Sequence, residues 1–125
     1  RSKEEYVGSA LDYVESLQRI MAEAGAVPDK SEHFQRIHGL AKQLGLQGET
    51  FGYPLVSMVG NSLMRFTGGG LPNSASSIDL VKVHIDSLTV ILRNSIAGDG
   101  GDTGRELVSQ LQAAIKKITQ SAAAG

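Results

Sequence analysis

The sequence predicts an all-α protein folded as a helical bundle. Apolar residues recur every three or four positions in five segments, Gly- and Pro-containing breaks separate these segments, and no stretch alternates as a strand does. Of the 125 residues, 41% are hydrophobic, with three Phe, three Tyr and no Trp, so the core must be mainly aliphatic. We expect a single domain over residues 1–125 with antiparallel neighbouring helices, because the connections are short.

The first predicted helix begins after Ser2, which forms a capping box with Glu5 three residues later. Gly25 and Pro28 end it, since Gly favours a left-handed cap and Pro cannot continue the hydrogen-bond ladder. Its buried stripe is predicted to consist of Val7, Ala10, Leu11, Val14, Leu17 and Met21.

The second predicted helix runs from about Ser31 to Glu49 and contains Gly39 and Gly45 in its interior. Each interior Gly costs about 1 kcal/mol relative to Ala. Either another helix or another molecule approaches this helix closely, or the helix is intrinsically of low stability. Its predicted core residues are Phe34, Ile37, Leu40, Ala41 and Leu44.

Three further helices follow. Pro54 suits the first position of the third helix, and the Gly-rich stretch 68–74 predicts a loop before the fourth, which should start near Ser76 or Ser77 and run to about Ile96. We expect the fifth helix to be capped by Thr103 with Glu106 and to give way to a tail over residues 121–125. The predicted inward residues are Leu55, Val56, Val59, Leu63 and Phe66 in the third, Ile78, Val81, Ile85, Leu88 and Leu92 in the fourth, and Leu107, Leu111, Ala114 and Ile118 in the fifth.

Composition argues against several functions. A net charge of −1 gives no field that favours nucleic acid or an anionic membrane, and the absence of Cys excludes disulfides and thiolate metal sites. No apolar run approaches the length of a membrane span, so we expect a cytoplasmic protein without a cofactor.

No catalytic or metal-binding constellation stands out. Ser57 and Ser62 lack an evident His or Asp partner, so we expect no enzyme. His33 is predicted to be solvated and His84 to be a hydrogen-bonded boundary residue. His33 and His38 are five residues apart and do not share a helix face, and no carboxylate completes a metal set. The sequence from Asp99 to Asp102 predicts a turn and helix cap, since it lacks the pattern of a calcium loop.

Residues 41–55, AKQLGLQGETFGYPL, resemble the signature helix of bacterial histidine phosphotransfer (HPt) domains. In that family an apolar residue stands two positions after the phosphorylated His. A large apolar residue stands nine positions after it, and a Gly stands ten positions after it. Counted from Lys42, these positions hold Leu44, Phe51 and Gly52, and Ala41 matches the small residue that often precedes the His. The resemblance implies an antiparallel four-helix bundle, here with an additional helix.

The positions that carry the family's chemistry differ. Lys42 stands where the phosphorylated His belongs, Gly45 replaces the usual Lys or Arg, and Leu46 replaces the usual Gly. A lysine ammonium, with an ordinary pKa of about 10.4, is a poor phosphoryl acceptor at neutral pH. The resemblance therefore implies a degenerate, non-catalytic HPt domain that binds a response-regulator receiver domain or a histidine kinase.

His38 provides an alternative acceptor. It lies one helical turn before Lys42, so the two side chains share a face and Lys42 could supply the positive charge. The family spacing does not hold when counted from His38. A structural or ligand-binding bundle unrelated to phosphotransfer is the third hypothesis. The residues expected to meet a partner are Gln35, His38, Gly39, Lys42, Gln43, Gly45 and Leu46.

Overall fold

A computed structural model describes residues 2–124, which form five α-helices and contain no strand. The helices are α1 (Lys3–Gly25), α2 (Ser31–Gly48), α3 (Pro54–Phe66), α4 (Ala75–Arg93) and α5 (Gly101–Ala124). A short 3-10 turn, Glu49–Phe51, follows α2. The prediction of an all-α protein with five helices is confirmed.

Local sequence explains where the first helices begin. The Ser2 hydroxyl accepts from the Glu5 amide at 3.1 Å and the Glu5 carboxylate accepts from the Ser2 amide at 3.2 Å, which confirms the capping box. Pro54 is the first residue of α3, as expected from its fixed φ and its missing amide hydrogen.

The predicted ends of the last two helices were less accurate. α4 begins at Ala75, because the Ser74 hydroxyl caps it by accepting from the Ser77 amide, and it ends at Arg93 rather than near Ile96. The left-handed backbone of Ser95, with φ of 49°, prevents it from continuing.

The Thr103–Glu106 capping box is wrong, because α5 already begins at Gly101 and Thr103 lies inside its first turn. Instead, the Asp99 carboxylate accepts from the Gly101 amide at 2.9 Å, at the first residue of α5. Residues 121–124 continue the helix rather than fade into a tail, and Gly125 lies outside the described residues.

The first four helices surround a common core. α1 packs against α2 and α4, α3 packs against the same two helices, and α5 packs against α4. This arrangement is compatible with a four-helix bundle that carries one additional helix. The largest fully buried side chains come from all four of these helices and include Leu17, Ile37, Leu44, Leu63, Ile85, Leu88, Ile91 and Leu92.

The fifth helix is the least buried. Of its predicted inward residues only Leu111 is buried, at 7% exposure, whereas Leu107, Ala114 and Ile118 are half-buried. The reason is that α5 lies outside the four-helix core and contacts mainly one neighbour, α4. Its removal from water therefore contributes less to stability than that of the core helices.

Candidate partner-binding surface

Helices α2 and α3 approach each other closely because small residues face each other at their contact. A Cβ added to Gly60 would lie 2.8 Å from the backbone nitrogen of Gly45, and one added to Gly48 would lie 2.8 Å from the backbone nitrogen of Ser57. The Ser57 hydroxyl also accepts from the Glu49 amide at 2.7 Å. Close approach of another helix therefore explains the Gly at position 45.

Gly39, the other interior glycine predicted in α2, has a different environment. No atom of the described residues lies within 4 Å of the position that its Cβ would occupy, and the residue is exposed. Packing inside the protein therefore does not account for it.

The solvent side of α2 carries a row of exposed residues. Gln35, Gly39, Lys42 and Leu46 follow one another at intervals of four, three and four positions, so they lie along one face of the helix. Leu46 is 63% exposed, which makes it the most exposed large hydrophobic side chain among the described residues. Gln43 is exposed beside this row.

Helix α3 continues the surface. Ser57 and Gly60 face α2 and Val59 and Leu63 are in the core, so Met58 points to solvent, where it is 50% exposed. Asn61 and Arg65 lie one and two turns further on, and Asn61 contacts α2 at Gly45. We call the following residues the docking face: Gln35, Gly39, Lys42, Gln43, Leu46, Met58, Asn61 and Arg65. It contains two cations and no carboxylate.

Lys42 lies on the surface, in the middle of α2. No carboxylate of the described residues lies within 4.0 Å of its ammonium group. Gly45, which the sequence placed on the same surface, is buried against α3 and cannot contact a partner directly. Its contribution is to hold the two helices of the docking face close together.

His38 lies at the edge of this surface and turns towards α3. Its Nδ1 is 2.8 Å from the carbonyl oxygen of Met64 and 3.4 Å from the Thr67 hydroxyl. A carbonyl oxygen can only accept, so Nδ1 carries the proton in this contact, and in the neutral imidazole Nε2 is then the nitrogen with the lone pair. The half-buried ring is thus held in the tautomer that would allow Nε2 to act as a nucleophile.

His84 forms a contact that the sequence did not reveal. The Ser62 hydroxyl lies 2.8 Å from its Nε2, and its Nδ1 donates to the Leu80 carbonyl at 2.7 Å. The imidazole is fully buried rather than at a boundary, and Ser62 does have a His partner. Burial lowers the pKa of His84 below its ordinary value, and the charge of Arg65 adds to this, against the opposing effect of the Leu80 carbonyl.

The contact between Ser62 and His84 joins α3 to α4. His33 also differs from expectation: it is half-buried, with Nε2 3.6 Å from the Glu23 carboxylate of α1.

Among residues 2–124, no group of three or more His, Asp or Glu side chains could hold a metal ion. None of the described helices is long and apolar enough to cross a bilayer. Comparison of the chain with protein-family models, with curated proteins and with solved structures yields no match.

Proposed function

We propose that this chain is an HPt-like protein of bacterial two-component signalling that binds a receiver domain or a histidine kinase without accepting a phosphoryl group. The observation that carries the proposal is the exposure of Lys42 in the middle of α2, at the position where the resembled family has its phosphorylated His. The arrangement of four helices around a core with α5 outside is compatible with the antiparallel HPt bundle.

The docking face has the character of a protein-binding surface. Leu46 and Met58 expose apolar area, while Lys42 and Arg65 supply positive charge without a neighbouring carboxylate in the face. Protein interfaces combine an apolar centre with a polar rim and are enriched in Met and Arg. The partner is expected to present a carboxylate-lined pocket, because unpaired cations favour acidic surfaces during encounter and binding.

Lys42 and Leu46 together make binding the better-supported role. A protonated amine has no lone pair to attack an aspartyl phosphate. Leu46 also adds an exposed side chain at the position where the resembled family has Gly. Both replacements remove features that group transfer needs, and both add groups that can contact a partner.

The test is a binding assay of the labelled chain against a panel of receiver and kinase domains from the source genome. Leu46→Ser should weaken binding at least tenfold, because it removes the apolar centre of the face. Val90→Ser is the matched control, since Val90 is 44% exposed but lies on α4. The proposal fails if no receiver or kinase domain binds the parent chain, or if the two variants bind equally.

A specific observation favours a second candidate, an active phosphotransfer protein that uses His38. The contact of Nδ1 with the Met64 carbonyl leaves Nε2 as the lone-pair nitrogen, and Lys42 lies one turn away. Incubation with a phosphorylated receiver or kinase should then label the parent chain and Lys42→Ala but not His38→Ala. If the chain neither binds these domains nor accepts label, a structural or ligand-binding bundle remains.

A further inference from the structure

A groove between α1 and α2 carries two arginines and lies next to the docking face. It has a volume of about 400 Å³ and is open to solvent. Its lining contains no carboxylate. The lining residues are Ser16, Arg19 and Ile20 from α1, and Arg36, Gly39 and Leu40 from α2.

Each guanidinium group has one polar neighbour on α1, and Arg36 forms a long ion pair with Glu23. Arg19 donates from Nη2 to the Ser16 hydroxyl at 3.2 Å, which fixes its side chain along α1. Arg36 lies 3.6 Å from the Glu23 carboxylate, which is longer than a direct hydrogen bond, and its side chain is 49% exposed. Each guanidinium has five N–H donors, so most of these donors remain available to a ligand.

Gly39 opens the α2 wall of the groove. In the part of the chain that the structure describes, no atom lies within 4 Å of its Cβ position, so internal packing does not require a Gly there. A Gly in a helix interior costs about 1 kcal/mol relative to Ala. The open position gives a ligand room beside the α2 backbone in the groove that both arginines line, and Ile20 and Leu40 provide apolar contact there.

We propose that this groove binds the dianionic phosphate group of a phosphate monoester. Two guanidinium groups can each make a bidentate contact with a phosphate, and together they balance its two negative charges. A carboxylate carries only a single negative charge and has two oxygens instead of three, so it matches two guanidinium groups less well. The apolar walls contact the organic part of the ester. This site requires no receiver or kinase domain and is independent of the proposed signalling function.

The test is an NMR titration of the isotope-labelled chain with inorganic phosphate, O-phosphoserine and acetate at matched ionic strength. Phosphate and phosphoserine should produce saturable shifts of the Gly39 and Leu40 amides and of the Arg19 and Arg36 Nε–H groups, in the low millimolar range. Acetate should bind at least fivefold more weakly. Tighter binding of phosphoserine than of phosphate would identify an ester as the ligand, and equal binding would identify free phosphate.

Variants make the assignment specific. Arg19→Gln and Arg36→Gln should each weaken phosphate binding at least fivefold, whereas Glu23→Gln should strengthen it by freeing Arg36. Arg93→Gln is the charge-matched control, because Arg93 is exposed at the end of α4. The proposal is overturned if phosphate gives no saturable shift, if acetate binds as well as phosphate, or if Arg93→Gln weakens binding as much as the groove variants.

Discussion

The close contact between α2 and α3 predicts that three glycines respond differently to the same substitution. In Gly60→Ala the new methyl group would lie 2.8 Å from the Gly45 nitrogen, 3.1 Å from the Ala41 carbonyl oxygen and 3.2 Å from the Gly45 Cα. All three are backbone atoms, so no side chain can rotate away and the helices must separate. Gly60→Ala should therefore be the most destabilising of the three.

The magnitude follows from two opposing terms. Overpacking a well-packed contact costs about 1–3 kcal/mol, and a clash with backbone atoms belongs at the upper end of that range. Replacing Gly by Ala inside a helix returns about 1 kcal/mol. We therefore expect Gly60→Ala to lower the free energy of unfolding by about 2 kcal/mol.

The other two substitutions calibrate this value. In Gly45→Ala the methyl would lie 2.1 Å from Oδ1 of Asn61, but this is the end of a half-buried side chain that can move, so the loss should be about 1 kcal/mol. Gly39→Ala meets nothing within 4 Å and should stabilise the protein by about 0.5–1 kcal/mol.

Urea unfolding measures all three variants, with the stability read from the midpoint at an unchanged m-value. The expected order of stability is Gly39→Ala, parent, Gly45→Ala, Gly60→Ala. A Gly60→Ala variant as stable as the parent would refute the close approach of the helices. A loss in Gly39→Ala equal to that in Gly45→Ala would refute the assignment of Gly39 to open surface.

Three further predictions concern stability. Because burial in the folded state lowers the pKa of His84, protonation of this residue favours the unfolded state. The free energy of unfolding should therefore fall as the pH drops below about 6.5. Urea unfolding at several pH values should show a smaller fall for His84→Gln than for the parent. Ser2→Ala should lower the free energy of unfolding by about 1 kcal/mol, because it removes the N-cap of α1. Ser9 is exposed on the same helix, so Ser9→Ala should change the urea midpoint little. The Tyr6 hydroxyl is buried and has no hydrogen-bond partner among residues 2–124, and burial raises its pKa to about 12. Tyr6→Phe should therefore raise the thermal unfolding midpoint or leave it unchanged.

Features encoded over a few residues could be predicted from the sequence. The Ser2–Glu5 cap and the start of α3 at Pro54 depend on atoms within one turn, and both are as expected. The exposure of Lys42 also follows from periodicity, because a core stripe at Phe34, Ile37, Ala41 and Leu44 leaves Lys42 on the opposite side. The start of α4 was harder, because Ser74, Ser76 and Ser77 are all plausible caps.

Features that depend on contact between helices could not be read in the same way. Ser62 and His84 are 22 residues apart, and only the packing of α3 on α4 brings them together. Gly45 was expected to face a partner, but the backbone of α3 covers it at Gly60. The sequence did contain a signal for this contact. Small residues lie about one turn apart on two adjacent helices, at Gly45 and Gly48 on α2 and at Ser57 and Gly60 on α3.

The different environments of the two interior glycines bear on the proposed function. Gly45 is packed against α3, where a Cβ would crowd Asn61, so packing explains the Gly at a position where the resembled family has a cation. Gly39 has no such internal requirement and lies between Lys42 on one side and the arginine groove on the other. A helix that has a destabilising Gly at an open surface position, beside the exposed Lys42 and the exposed Leu46, is better suited to close contact with another molecule than to stability alone.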